Sequence, residues 1–180
     1  MDLSARPLAP NPYDLLPHFP SFTLTSTDMV DDGALPTSAT AQGGSRSPQL
    51  SWSGFPDGTR SFLVTCFDPD APTPAGFWHW CAANVPGSVA ELAAGAGASD
   101  AELSGGFHCP NDTGQRNFFG AAPPAGDRAH RYIFAVHALD VDSLDVDHDT
   151  RPTAVSFQAL FHTLAIATVT GMYRTPEDAG

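Results

Sequence analysis

Three segments of the chain are apolar at nearly every position and short enough to be buried strands. They are RSFLVTCFD (60–68), GFWHWCAANVP (76–86), which ends at Pro86, and RYIFAVHALD (131–140). Short runs rich in β-branched and aromatic residues are typical of strands covered on both faces. The pattern therefore predicts that these segments form the centre of a sheet.

Two other segments alternate between apolar and polar residues, as half-buried strands do. They are SFTLTST (21–27) and LSWSGF (50–55), and a Pro-Asp-Gly turn follows the second. Five prolines predict an irregular arm over residues 1–20, and residues 31–48 have the Gly, Ser, Asp and Pro content of a loop. These patterns predict a mostly β protein with long loops.

The period of the apolar residues changes near the C-terminus. We predict a helix over Thr153–Gly171, preceded by Pro152, capped by Thr153 and closed by Gly171. One face of this helix would pack on the β core through Phe157, Leu160, Phe161, Leu164 and Ala165. The arm (1–20) would then precede a single domain over residues 21–175 and a short tail, 176–180.

Charge and hydropathy exclude several classes of protein. Twenty acidic residues face eight arginines, and the net charge is −12. Such a surface repels phosphate backbones, which disfavours nucleic acid as a partner. No stretch is apolar over the length needed to span a bilayer, so we do not expect an integral membrane protein. The N-terminus lacks the apolar core of a secretory signal, which predicts a cytoplasmic location.

The three cysteines, Cys66, Cys81 and Cys109, match no metal-binding spacing. Cys66 and Cys81 lie inside apolar strands, where a small hydrophobic side chain fits. We therefore predict buried, reduced thiols.

Two carboxylates stand directly after the first apolar strand, in Asp68-Pro69-Asp70-Ala71-Pro72. Each proline fixes its own backbone and restricts the residue before it, so the loop is stiff. The pattern indicates either a site at a strand end or a plain solvated turn.

The next apolar strand carries Phe77-Trp78-His79-Trp80. In a regular strand Phe77 and His79 share one face and the two tryptophans share the other. A histidine among large rings is either a ligand-binding group or a satisfied core residue.

A third candidate lies in the loop Gly120–Gly126, which runs through Pro123-Pro124 towards His130-Arg131-Tyr132. Successive backbone N–H groups of such a loop can form an anion-binding nest, and His130 can donate to the same anion. The alternative is an ordinary connection between strands.

In this order and spacing, DPDAPTPAGFWHW (68–80) and NDTGQRNFFGAAPPAGDRAHRYIF (111–134) resemble the phosphatidylethanolamine-binding (Raf kinase inhibitor-like) family, in particular its bacterial and archaeal YbhB/YbcL-type branch. The resemblance extends from about Phe22 through Tyr173. It implies an antiparallel Greek-key β fold with two sheets and a C-terminal helix. It also implies a pocket for phosphate-like anions, formed by Asp68, Asp70, Phe77, His79, Gly120, Pro123, Pro124, His130 and Tyr132.

Carboxylates repel an anion, so their presence in an anion-binding site needs an explanation. Asp68 or Asp70 next to His79 and His130 would favour the imidazolium form, and a free carboxylate would accept the ammonium of an ethanolamine headgroup. Two departures from the family affect headgroup preference. Phe77 stands where relatives often have tryptophan, and Ala122 stands where some have glycine.

The resemblance thus predicts a non-catalytic binding protein for a phosphorylated small molecule or phospholipid headgroup, with no cofactor or metal. A protein partner such as a kinase and a homodimer are further expectations. The alternatives are an Asp/His phosphoester-processing or metal-dependent enzyme, and an interaction protein with a vestigial pocket. The acidic run from Asp140 to Asp149 lacks the glycine and glutamate of a calcium loop and predicts a solvated turn.

Overall fold

The computed structural model describes residue 3 and residues 5–176. In this part of the chain two β-sheets pack with a single α-helix. The strands are β1 (Thr23–Thr25), β2 (Gly33–Ala34), β3 (Leu50–Ser53), β4 (Ser61–Asp68), β5 (Phe77–Pro86), β6 (Glu91–Leu92), β7 (Phe107–His108), β8 (His130–Leu139) and β9 (Thr163–Tyr173), and the helix is α1 (Pro152–Leu160). The mostly β, two-sheet architecture is as predicted. The predicted tail, beyond Pro176, lies outside the described residues.

The larger sheet has the order β2-β9-β8-β4-β5-β7, and the smaller one has the order β1-β3-β6. The three apolar runs are strands β4, β5 and β8, which are adjacent in the interior of this sheet, as predicted. Strand β4 lies between the other two. Each pairing is antiparallel except that β2 runs parallel to β9. The central strands are buried along nearly their whole length.

The predicted C-terminal helix is present but much shorter than expected. It ends at Leu160, and residues 163–173 form strand β9 at the flank of β8. The buried residues of this strand are Ala165, Ala167, Val169 and Gly171, which follow the two-residue period of a strand. The predicted helical face is also wrong, because Phe157 and Phe161 are 64% and 68% exposed while Val155 and Ala159 are buried.

The larger sheet is covered on both faces. One face packs on the smaller sheet through a core that includes Trp52, Phe62, Trp80 and Phe134. The other face packs on α1 around Leu63, Cys81, Leu139 and Val155. All three cysteines are buried and unbridged, in agreement with the prediction for Cys66 and Cys81. No helix in the described part of the chain combines the length and hydropathy needed to cross a membrane.

The N-terminal arm lies against the second face of the larger sheet. Arg131 Nη2 donates to the Ala9 carbonyl (2.6 Å), and the Ile166 N–H donates to the Pro20 carbonyl (3.0 Å). Between these anchors residues Pro12–Leu15 form a 3-10 turn, for which Asn11 caps the Tyr13 N–H. Apart from this turn, the described residues of the arm have no regular secondary structure, and they pack on the domain.

Candidate functional site

A β-bulge in β5 shapes the end of the larger sheet. Cys66 pairs with Trp80, but the next residue of β4, Phe67, pairs with Trp78, so β5 contains one extra residue at this point. The bulge puts Trp80 in the core with Cys66 while Trp78 packs against Phe67 on the opposite face. The expectation that the two tryptophans share a face is therefore wrong, whereas His79 still faces the site with Phe77.

A cavity of about 160 Å³ opens beside the bulge. It contains seven of the nine predicted site residues and lies where β4 ends and where β5 and β8 begin. Its walls are formed by Asp68, Ala71, Pro72, Thr73, Phe77, His79, Phe119, Ala122, Pro123, Pro124, His130 and Tyr132. Asp70 and Gly120 are not among them.

His79 is held by a hydrogen bond to the backbone. Its Nδ1 lies 2.7 Å from the carbonyl oxygen of Phe119, and because a carbonyl only accepts, Nδ1 carries the proton. The ring contacts Phe77 and Tyr132, at centroid distances of 4.8 and 5.0 Å. Burial lowers the pKa of His79, with partial compensation from the Phe119 carbonyl and Asp68. The surroundings of His79 therefore favour its neutral form, whereas the sequence predicted an imidazolium.

His130 is the histidine of the site whose surroundings favour the protonated form. Its Nδ1 lies 2.8 Å from Asp68 Oδ2, and its Nε2 lies 3.1 Å from Asp127 Oδ2. Burial favours the neutral ring, but the hydrogen bonds to the two carboxylates outweigh it and raise the pKa of His130. With both N–H groups donated to carboxylates, His130 has none left for a ligand. The predicted bond from His130 to an anion stays a prediction and would require one of these two contacts to break.

The two aspartates of the Asp-Pro-Asp loop have different roles. Asp68 Oδ1 accepts from the backbone N–H groups of Asp70 (2.8 Å) and Ala71 (3.0 Å), which fixes the loop, and its other oxygen binds His130. Asp70 faces away from the cavity and forms a bidentate pair with Arg131. Asp70 thus stabilises the loop outside the cavity and does not orient a histidine.

The predicted anion nest at Gly120 is absent. The Gly120 N–H donates to Ser45 Oγ (3.0 Å), the Ala121 N–H donates to the Ala39 carbonyl (3.0 Å), and prolines have no N–H. Glycine is required at position 120 because a Cβ atom there would lie 2.4 Å from the carbonyl carbon of Thr40. Gly120 thus allows its loop to pass close to the backbone of Thr40 and Ala41, and it does not line the cavity.

Tyr132 brings a buried polar group to the wall of the cavity. The backbone N–H of Ala122 is close enough to donate to its oxygen, but among the described residues no acceptor is placed to receive its O–H. Burial raises the pKa of this phenol far above its ordinary value, although the nearby Ala122 N–H opposes the shift. A protonated hydroxyl on the wall of a cavity is available to donate to a ligand.

Sequence reasoning missed Asp127 and Arg6. Asp127 is fully buried, accepts from His130 and binds Arg6 Nη2 (2.9 Å), which also donates to the Asp70 carbonyl (2.9 Å). The cluster therefore pairs two carboxylates, Asp68 and Asp127, with two basic side chains, His130 and Arg6. The site is thus charge-balanced in spite of the acidic composition of the chain. No local sequence motif indicates that Arg6, in the N-terminal arm, contacts this cluster.

The acidic run before α1 forms a hydrogen-bonded turn. The Asp147 side chain accepts from the backbone N–H of Asp149 and from the Thr150 hydroxyl, and Asp149 pairs with Arg116. Among the described residues no group of three or more histidine, cysteine or acidic side chains is placed to hold a metal ion.

Comparison with known proteins identifies the family. The family model "Phosphatidylethanolamine-binding protein" matches residues 25–174. The chain belongs to this family. It is 42% identical to the UPF0098 protein YbhB of Escherichia coli over 156 residues, which covers 83% of this chain and 98% of YbhB. It is 39% identical to YbcL of the same organism over 160 residues, or 85% of this chain and 87% of YbcL.

Solved structures of the phosphatidylethanolamine-binding family have the same fold. The crystal structure of E. coli YbcL matches with a TM-score of 0.82 at 38% identity, covering 86% of this chain and 99% of YbcL. That of a homologue from Chlamydia trachomatis matches with a TM-score of 0.76 at 28% identity, covering 86% of this chain and 98% of the other. The family resemblance carried by residues 68–80 and 111–134 is confirmed.

Proposed function

We propose that this chain is a non-catalytic binding protein whose cavity receives a phosphate-like anion, either free or as a phospholipid headgroup. The observation that carries the proposal is the Tyr132 O–H group, which is buried at the wall of the cavity and has no acceptor among the described residues. A buried donor without a partner costs about 1–3 kcal/mol, and a ligand oxygen would remove that cost. The apolar ring of Phe77 and the two prolines form the surrounding wall.

His79 supplies the second contact. Its Nδ1 is bound to Phe119, so Nε2 is the nitrogen that remains for a ligand. An anion beside this ring favours its protonated form, in which Nε2 donates. Binding of an anion is therefore linked to uptake of a proton by His79, and affinity falls as the pH rises through the pKa of the occupied site.

The charge balance of the cluster supports an anion over a cation. Arg6 and His130 offset Asp68 and Asp127, so an incoming phosphate meets no uncompensated carboxylate. An ethanolamine ammonium would have to compete with His130 for Asp68. We therefore expect the phosphate group, and not the amine, to provide most of the affinity.

The same contacts favour binding over catalysis. A general base needs a free lone pair, but both nitrogens of His130 face carboxylates. Thr73 has an aliphatic hydroxyl at the cavity wall, but this hydroxyl donates a hydrogen bond to the Gly76 carbonyl (2.6 Å). A phosphoester-processing enzyme would have His79 as its single general base and would have no nucleophile next to it. Catalysis is therefore the second candidate function.

Titration calorimetry tests the proposal with phosphate, phosphoethanolamine and phosphatidylethanolamine vesicles as separate ligands. We expect Tyr132→Phe to weaken phosphate binding about five-fold, as for one hydrogen bond. The matched control is Tyr13→Phe, because Tyr13 lies on the opposite face of the sheet and bonds Thr65. If no ligand binds, the cavity is vestigial; turnover of a phosphoester would favour the enzyme.

A homodimer, a protein partner such as a kinase and a cytoplasmic location stay predictions from the sequence. Light scattering at micromolar concentration tests the homodimer. A measured mass equal to that of one chain would contradict it.

A further inference from the structure

A second cavity lies on the other face of the larger sheet. Its volume is about 310 Å³, and it occupies the seam between the N-terminal arm and α1. Phe67 and Trp78 form its floor, with ring centroids 4.6 Å apart. Tyr13 and Leu16 line it from the arm, and the helix contributes Ser156, Phe157 and Leu160. A cavity of this size and composition is typical of sites for small apolar ligands.

His137 is the residue of this mostly apolar wall that has a buried polar atom without a partner. It is 6% exposed, and its Nδ1 has no hydrogen-bond partner among the described residues. Burial lowers the pKa of His137 to about 4, so the ring is neutral at pH 7. A buried imidazole without a partner is costly unless a bound molecule supplies one.

The composition of the wall defines the charge of the occupant. None of the ten lining residues is acidic or basic apart from His137, and Tyr13 keeps its proton because burial raises its pKa to about 12. A charged ligand would lose its hydration without gaining a counter-ion. Phe157, at the helix, is 64% exposed, which leaves an apolar rim beside the cavity.

We propose that this second cavity binds an uncharged, largely apolar small molecule that carries one hydroxyl or amine N–H group, with His137 as its hydrogen-bond partner. The site is independent of the anion cavity, because His137 and Phe67 project from the opposite face of the sheet to Tyr132 and Asp68. The two sites can therefore be occupied at the same time.

Fluorescence titration of the full chain with N-phenyl-1-naphthylamine, an uncharged apolar amine, tests this proposal. We expect saturable binding of one molecule per chain. Ser156→Trp should weaken it at least ten-fold, because the indole fills the cavity from the helix. His137→Phe should weaken it about five-fold while the Tm is maintained or raised, since an unpaired polar group is removed.

The matched control is Phe161→Ser. Phe161 is exposed and packs edge-on against Phe157 but does not line the cavity, so its loss should leave the affinity unchanged. Saturating phosphate should also have no effect. The proposal is overturned by unsaturable binding, by wild-type affinity in Ser156→Trp or His137→Phe, or by loss of binding in Phe161→Ser, which would indicate adsorption to the exposed rings. Binding that appears only when a dimer dissociates would assign this face to a second copy and would equally overturn it.

Discussion

Replacing Asp70 with alanine separates the stability of the Asp-Pro-Asp loop from ligand binding. The Asp70 carboxylate accepts three hydrogen bonds from Arg131, from Nε (2.7 Å), Nη2 (2.7 Å) and the backbone N–H (3.0 Å). The side chains of Asp70 and Arg131 are 2% and 17% exposed. Removal of one partner from a buried ion pair costs about 3–5 kcal/mol. Because water still reaches the guanidinium of Arg131, we expect the lower end, about 3 kcal/mol.

Urea denaturation at pH 7 measures this loss. With a slope of about 2 kcal/mol per molar, the midpoint of Asp70→Ala should fall by about 1.5 M. The matched control is Asp142→Ala, which removes the partner of Arg60 from an exposed pair and should cost about 0–1 kcal/mol. In physiological salt the folded Asp70→Ala variant should bind phosphate within about three-fold of wild type, because the charge change is screened.

The pH dependence has a defined sign. Burial opposes ionisation of Asp70, but hydrogen bonds from Arg131 prevail and hold its pKa below the ordinary value. The stabilisation is therefore complete above the ordinary carboxyl pKa and is lost as the pH falls through the folded value. The midpoints of wild type and Asp70→Ala should converge in acid. A loss under about 1 kcal/mol at pH 7, or a ten-fold fall in phosphate affinity, would refute this account of Asp70.

Three other predictions follow from the contacts. Two carboxylates raise the pKa of His130, so the stabilisation that protonated His130 gives to the fold is complete below the ordinary histidine pKa and is lost as the pH rises through the raised value. Over that pH range the urea midpoint should fall in wild type and stay level in His130→Gln. Gly120→Ala should lower the free energy of unfolding by about 1–3 kcal/mol by overpacking against Thr40, which thermal unfolding will show. A thiol reagent should label Cys66, Cys81 and Cys109 slowly until urea is added, and rapid labelling of the folded chain would contradict their burial.

The fold was predictable where burial alone determines the pattern. Strands β4, β5 and β8 are apolar on both faces and are bounded by turn residues, so their positions follow from composition. Strand β9 was missed because its buried face is made of alanine, valine and glycine, which give a weak two-residue signal. The same segment continues the apolar spacing of α1 from Phe157 to Ala165, and that spacing favours a helix.

The site was predictable as a set of residues but less so as a set of contacts. The family motifs brought Asp68, His79 and Tyr132 to one cavity. Which histidine is charged depends on Asp127 and on the Phe119 carbonyl, which come from different loops. The bulge that separates the two tryptophans depends on pairing with β4 and has no local signature. Such details arise from tertiary contacts between distant segments.

Proton uptake on anion binding tests the central claim most directly. Sulfate has no titratable proton near neutral pH, so any proton taken up when it binds belongs to the protein. Calorimetry in two buffers of different ionisation enthalpy counts these protons, and His79→Asn keeps a donor near Nδ1 while it removes Nε2. We expect sulfate binding by wild type with uptake of up to about one proton, and loss of both in His79→Asn. No binding, or binding without proton uptake that persists in His79→Asn, would contradict the account.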